Sequence, residues 1–189
     1  MTFHHIAPWT EEEYLALGET TSLVELVRGA LWVSPSPSSV IHQTVLHRVV
    51  KALEPGANDA GLDAAGQINV RLAHDTITNP DFVIATRTNR FAEVTPAADV
   101  HLIGEVTTPD SVLADRSFKP HLYAAAGIEW YLLIEPNFRD LSTTLRLHRL
   151  AGDHYVKHAA AKQGQTLKAD APFLFELQTT GLTARSPSA

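Results

Sequence analysis

The spacing of hydrophobic residues changes several times along the chain, and each change predicts a new element of secondary structure. Thr10 and Glu13 fit a capping box, so a short helix is expected to begin there and to end at Gly18. The runs LVELV and ALWV, joined by an Arg-Gly turn, then predict a β-hairpin. This hairpin carries Glu25 in its first strand.

The middle of the chain predicts a second helix followed by strands. Ser38 or Ser39 can cap a helix whose apolar residues recur at helical spacing, and Pro55-Gly56 is expected to end it. The segment GANDAGLDAAG that follows is small and polar, which is typical of a loop. Three segments then have the pattern of strands: Gln67 to Leu72, Phe82 to Ala85 and Val100 to Thr107.

The remainder predicts one more helix, a buried strand and a second hairpin. The helix is expected from about Ala114 to Ala126, and the buried strand is the run WYLLIEP. The alternating runs TLRLHRL and HYVKHA predict the hairpin. This order of elements favours a mixed sheet flanked by helices, an α/β class. We expect one domain over residues 1–182 and a disordered tail over residues 183–189.

Composition narrows the class of protein. A chain of 189 residues, 44% of them hydrophobic, is long enough for one core. Its longest apolar run, WYLLI, is far shorter than the roughly 20 residues that span a bilayer, and its N-terminus does not resemble a secretory signal. We therefore expect a cytoplasmic protein with no membrane association. The absence of cysteine excludes disulfides and thiolate metal sites, so a metal must bind oxygen or imidazole.

The charge of the chain bears on its partners in two opposite ways. A formal net charge of −6 gives no broad basic face for a polyanion, which argues against tight general binding of nucleic acid. Clustered carboxylates are nevertheless what a Mg²⁺ site needs, and the bound ion restores positive charge locally. The net charge alone therefore does not exclude a nuclease.

Two carboxylates occupy positions that would bring them together on neighbouring strands. Asp81 lies at the start of the strand FVIA, and Glu105 lies within the strand HLIGEVT. If these strands pair, both side chains can share a hard cation, with the Val106 carbonyl as a further ligand. A turn is the ordinary interpretation of Pro-Asp. The buried Glu105 is harder to explain, although Arg71 or Arg116 could pair with it.

The predicted third helix supplies an amine for these acids. Asp115, Lys119 and Tyr123 are spaced by four residues and therefore lie on one stripe of the helix. From there Lys119 can reach the carboxylates, orient an attacking water and offset charge that develops on a phosphate. Taken alone, a helical lysine is more often simply exposed to solvent. Among the ten histidines, no pair combines the His-x-x-x-His spacing of a helical zinc site with a glutamate base.

At these residues the chain resembles the Uma-two family of restriction-endonuclease-like proteins, within the PD-(D/E)XK nuclease superfamily. The matching text spans roughly Thr10 to Pro136, and its segments are TEEEYLAL, VELVRGALWVSPSPSSVIHQ, NPDFVIA and GEVTTPDSVLADRSFKPHLYAAAGIEWYLLIEP. The last segment is the most specific of the four. The resemblance implies a restriction-endonuclease-like mixed β-sheet flanked by helices.

The resemblance also implies roles for individual residues. Asp81 and Glu105 would be ligands of Mg²⁺ or Mn²⁺, and Lys119 would replace the lysine that many superfamily members carry where this chain has Thr107. Glu25 matches an acid that would be an extra ligand or a water-positioning group. Accessory roles are expected for His42 and Asp115, although local packing or hydrogen bonding on the helix surface is an equal alternative for His42. Tyr123 is expected to support Lys119.

The function implied is Mg²⁺-dependent hydrolysis of DNA phosphodiester bonds, with a homodimer as the expected assembly. Two alternatives stay open at this point. One is a catalytically inactive protein that keeps the fold for partner binding or self-association, which the acidic charge favours. The other is hydrolysis of a different phosphate substrate.

Overall fold

A computed structural model describes residues 8–18, 20–34, 39–86 and 92–183. These residues form three α-helices and thirteen strands, with a 3₁₀ turn at Ala97–Asp99 and a π-helical turn at Ala114–Phe118. The helices are α1 (Glu11–Leu15), α2 (Val40–Asp59) and α3 (Lys119–Ala125). The strands are β1 (Leu23–Val27), β2 (Ala30–Ser34), β3 (Leu62–Gly66), β4 (Asn69–Ala73), β5 (Thr76–Thr78), β6 (Phe82–Thr86), β7 (Val94–Pro96), β8 (Val100–Val106), β9 (Trp130–Pro136), β10 (Thr143–Ala151), β11 (His154–Ala161), β12 (Thr166–Ala169) and β13 (Phe175–Gln178).

The strands form two main sheets and one small one. The larger sheet has the order β11-β10-β9-β8-β6-β3, and its only parallel pair among the described residues is β8 with β9. A five-stranded sheet has the order β2-β1-β5-β4-β7, and β12 pairs with β13. The predicted α/β class with a mixed sheet is therefore confirmed.

The central strands of the six-stranded sheet are buried on both faces. On one face, Leu102 and Val106 of β8 join the largest hydrophobic cluster, to which α2 contributes a row of buried residues. On the other face, Ile103 of the same strand joins a second cluster that includes Tyr123 of α3. Because side chains alternate along a strand, Glu105 lies on the same face as Ile103. The strand therefore directs one acid toward α3.

The hairpins follow the sequence pattern closely. Strands β1 and β2 pair from Val27 with Ala30 to Leu23 with Ser34, and β10 pairs with β11 as predicted. Arg28 and Gly29, between β1 and β2, both have positive φ angles of 52° and 73°. A two-residue hairpin turn of type I′ requires this backbone conformation.

The predicted end of the second helix is wrong. Helix α2 continues through Pro55 and Gly56 to Asp59, because buried Leu53 and Ala57 on either side pack into the core. Gly56 serves close packing instead, since a side chain there would collide with the Leu174 carbonyl. The predicted loop after it is also wrong, because its second half is strand β3, which pairs with β6 along its whole length.

Several other features differ from the sequence prediction. The third helix begins as a π-helical turn and is α-helical only over Lys119–Ala125. The short strands β5 and β7 and the pair β12 and β13 have too few alternating residues to be predicted from sequence. Thr183, expected to begin the tail, is buried and its hydroxyl donates to the Leu141 carbonyl. Residues 184–189, like Ser38, lie outside the described residues.

Gly104 offers a test of the packing beside Glu105. It pairs with Phe82 across β8 and β6, and a Cβ at this position would overlap the Phe82 ring. Overpacking of this kind destabilises a core by about 1–3 kcal/mol. We expect Gly104→Ala to lower the free energy of unfolding by about that much in urea titrations. Gly66→Ala is the matched control, because its Cβ would meet only the Asp81 carbonyl at 3.6 Å. Equal stability of the two variants would contradict this packing.

Candidate functional site

A cleft of about 530 Å³ lies where the ends of β6 and β8 meet the start of α2 and the π-helical turn. It gathers six of the eight residues that the sequence indicated. The six are His42, Asp81, Glu105, Val106, Asp115 and Lys119. The remaining two, Glu25 and Tyr123, are buried behind the cleft surface.

Asp81 and Glu105 lie side by side at the floor of this cleft. The antiparallel register pairs Phe82 with Gly104, so the preceding Asp81 falls opposite Glu105. The backbone amide of Asp81 donates to Glu105 Oε2 over 3.3 Å, and that of Val106 donates to Asp81 Oδ2 over 2.7 Å. Strand pairing therefore fixes both carboxylates relative to each other.

Lys119 supplies the amine beside these acids. Its Nζ lies 3.0 Å from Glu105 Oε1 and 3.5 Å from Asp115 Oδ1, and its side chain is 12% exposed. Burial lowers the pKa of Lys119, but the surrounding carboxylates, Glu105 first, outweigh burial and raise this pKa above its usual value. The amine is therefore protonated at neutral pH.

Asp115 and Tyr123 hold the lysine and the acid from the helix side. Ser111 Oγ donates to Asp115 Oδ2 over 2.5 Å, and the Tyr131 hydroxyl donates to the backbone carbonyl of Asp115. The Tyr123 hydroxyl donates to Glu105 Oε1, the same oxygen that Lys119 contacts. Tyr123 therefore binds the acid that Lys119 contacts, and the support of Lys119 that the sequence predicts would act through Glu105.

Glu25 reaches the site from the hairpin. Its side chain is only 2% exposed, and its Oε1 accepts a hydrogen bond of 2.8 Å from the backbone amide of Asn79. This amide lies two residues before Asp81, so the bond connects β1 to the segment that carries the first acid. Glu25 also shares a small inner cavity with Lys119.

His42 is the third residue of α2, and it lines the cleft. Its Nε2 lies 3.1 Å from both Asp81 Oδ2 and the Val106 carbonyl oxygen. Both of these atoms accept hydrogen bonds, so Nε2 carries the proton. Its Nδ1 is buried and has no hydrogen-bond partner among the described residues. Burial lowers the pKa of His42, but the hydrogen bond and charge of Asp81 outweigh it and raise that pKa.

The site holds more carboxylates than cations. Burial raises the pKa of Glu25 and of Asp115, and raises that of Glu105 well above its usual value, while Lys119 partly offsets the effect in each case. One protonated lysine therefore does not balance the acids around it. The cluster favours an additional positive charge.

The Uma2 family model, described as "Putative restriction endonuclease", matches residues 11–184. The chain belongs to the Uma2 family. A crystal structure described as "a putative nuclease belonging to DUF820" from Anabaena variabilis is similar at a TM-score of 0.64 and 17% identity. The similarity covers 87% of this chain and 90% of that one, and it shows a shared fold. No curated protein matches the chain.

The donor atoms of this Uma2-family chain suit a divalent cation that is held by few protein ligands. Asp81 Oδ2 and the Val106 carbonyl oxygen converge on the single N–H of His42, so they face a common point. Within the described ranges, no three His, Asp or Glu side chains are grouped as a complete metal cage. Mg²⁺ is commonly held by one or two carboxylates, with water molecules as its remaining ligands. Asp81 and Glu105 can supply the two carboxylates, and the Val106 carbonyl can supply a further oxygen. The residues present therefore fit such an ion.

The partners considered for Glu105 at the sequence level are engaged elsewhere. Arg71 pairs with Glu11, and Arg116 pairs with Glu135. Lys119 is consequently the cation that contacts Glu105 in the described part of the chain. Among those residues, no helix is both long enough and apolar enough to cross a membrane.

Sequence analysis missed three residues at the site. They are Trp32, which lines the cleft, Asn79, whose amide binds Glu25, and Ser111, which binds Asp115. Trp32 carried a usable signal, because the predicted hairpin register already places it directly opposite Glu25. Directly paired residues project from the same face of a sheet. The other two depend on loop geometry and left no sequence signal.

The raised carboxylate pKa values imply a pH-dependent stability for the metal-free protein. An acid with a raised folded pKa stabilises the fold at pH values below its unfolded pKa of about 4, and this contribution is lost as pH rises through the folded pKa. The free energy of unfolding should therefore fall as pH rises above about 4. We expect Glu25→Gln to make this slope shallower in urea titrations, because the neutral amide does not titrate.

Glu54→Gln is the control for this measurement, since Glu54 is exposed on α2 away from the cleft floor. Its slope should equal that of the unmodified protein. A Glu25→Gln slope as steep as the control would mean that Glu25 is not held with a raised pKa.

Proposed function

We propose that this chain is a metal-dependent endonuclease that hydrolyses DNA phosphodiester bonds. The observation that carries the proposal is the contact of a largely buried, protonated Lys119 with Glu105, 3.0 Å apart, directly beside Asp81. Two acids and an amine at one strand end are the groups that phosphodiester hydrolysis with a divalent ion needs. Membership of a family described as restriction endonucleases supports the reaction class.

Asp81, Glu105 and the Val106 carbonyl are proposed to hold Mg²⁺ or Mn²⁺. When bound, such an ion lowers the pKa of a coordinated water and offsets negative charge on the phosphate. It would compete with the His42 N–H for the Asp81 and Val106 oxygens. His42 therefore keeps these oxygens oriented while the ion is absent.

Lys119 is proposed as the catalytic amine. As a cation at the cleft surface, it can donate a hydrogen bond to the attacking water or to a phosphate oxygen. Tyr123 and Asp115 are positioning residues, because they bind Glu105 and Lys119 respectively. Glu25 is also a positioning residue, since it lies behind the cleft and fixes the backbone before Asp81.

DNA as the substrate, rather than another phosphodiester, rests on the description of the family. The homodimer also rests on the resemblance and stays a prediction. Turnover of small phosphodiesters without any cleavage of DNA would instead indicate hydrolysis of a different phosphate substrate.

Three substitutions at the site test metal binding and cleavage separately. We expect Asp81→Ala and Glu105→Ala each to abolish Mn²⁺ binding in calorimetry and to remove cleavage of a labelled oligonucleotide. Lys119→Met should retain Mn²⁺ binding but lower the cleavage rate by about 10²–10³-fold, the effect of removing one charge-stabilising donor. Asp110→Asn is the control, because this exposed acid lines the cleft without contacting the cluster.

Wild-type cleavage in either alanine variant would contradict the proposal.

A second candidate, a catalytically inactive member used for partner binding, is favoured by one observation. Asp81 and Glu105 already accept hydrogen bonds from Val106, His42, Lys119 and Tyr123. Failure of the unmodified protein to bind Mg²⁺ or Mn²⁺ in calorimetry would support this second candidate.

A further inference from the structure

A part of the cleft lining is apolar and has no role in holding the acids. The side chains concerned come from the hairpin, the start of α2, and the loops after β8 and β9. They are Leu23, Trp32, Ile41, Pro109 and Phe138. Trp32, Ile41 and Phe138 are only partly buried, so they present apolar surface to the cleft. A metal site that binds only a phosphate does not need such a wall.

Trp32 is the largest of these side chains and is fixed at the site. It pairs with Glu25 across the hairpin, so both residues project from one face of it. Its ring centroid lies 4.3 Å from that of Phe118, the residue before Lys119. The indole is therefore held against the residue that precedes Lys119, and Trp32 and Lys119 line the same cleft. A flat aromatic face in this position can stack on a nucleobase.

The charges around the cleft do not suit a DNA duplex. Among the described residues lining it, the basic side chains are Lys119 and His42, and both already contact acids. Four acids line the same cleft, namely Asp81, Glu105, Asp110 and Asp115. Binding of a duplex depends largely on rows of lysine and arginine against phosphates. Affinity in this cleft must come mainly from another contact.

We infer that the cleft binds single-stranded DNA, with one base stacked on Trp32 and the neighbouring phosphate directed to Asp81 and Glu105. This inference rests on the proposed function and adds its substrate class. Stacking on an aromatic side chain is available to an unpaired base and is closed to a base inside a duplex. It also tolerates any base sequence, because every base has a flat face.

The test compares cleavage of three labelled oligonucleotides in Mn²⁺: a single strand, its duplex, and a single strand of abasic units. We expect the unmodified protein to cleave the base-bearing single strand at least about tenfold more efficiently than either other substrate. Trp32→Leu keeps an apolar contact with Phe118 but removes the flat face. It should raise KM for the single strand about tenfold, leave kcat nearly unchanged, and leave the abasic strand unaffected.

Two further variants isolate stacking. Trp32→Phe should restore most of the efficiency on the single strand, because phenylalanine keeps an aromatic face. Val33→Ala is the matched control, since Val33 is 59% exposed and projects from the opposite face of β2. It should behave as the unmodified protein. Thermal melting of each variant establishes that a loss of cleavage is not a loss of folding.

The outcomes separate this inference from the function on which it rests. Duplex cleaved as well as or better than the single strand, or Trp32→Leu without effect on KM, overturns the inference and leaves the nuclease proposal intact. Preference for an RNA strand of the same sequence overturns the choice of DNA. No metal-dependent cleavage of any substrate overturns the proposed function and this inference together.

Discussion

The contact between Lys119 and Glu105 is the interaction on which the rest of the site depends. A carboxylate that is only 1% exposed would be costly to bury without a partner, and the amine supplies the opposite charge at 3.0 Å. Strand β8 brings the acid, and the helix that follows brings the amine. The backbone amide of Asp81 donates to Glu105, and Glu25 accepts from the backbone amide of Asn79, so the hairpin, the sheet and the helix all meet at this site.

Burying the acidic side chains of the site destabilises the fold, and hydrophobic packing elsewhere offsets this cost. Burial disfavours the charged forms of Glu25, Glu105 and Asp115, and one lysine does not neutralise them. Two hydrophobic clusters, one on each face of the six-stranded sheet, supply the stability that keeps the acids in place. An excess of negative charge held rigidly in this way is an arrangement suited to a divalent cation.

Local pattern was sufficient to predict the parts of the site that lie on regular elements. Asp81 and Glu105 come together because the alternating strands around them pair, and Lys119 faces them because of its position in the helix. Spacing placed Tyr123 on the same stripe as Lys119, but spacing does not show which oxygen a hydroxyl reaches, so the bond from Tyr123 to Glu105 was not predicted. The length of α2 was missed because core packing overrides Pro55, a tertiary effect that no local pattern contains.

A crystal of the protein soaked in Mn²⁺ gives the most direct test of a shared ion site. The account expects one anomalous peak within bonding distance of carboxylate oxygens of both Asp81 and Glu105, with the Val106 carbonyl as a further ligand and the His42 hydrogen bonds to these oxygens displaced. No peak at this position, with His42 still bonded to both Asp81 and Val106, would contradict it.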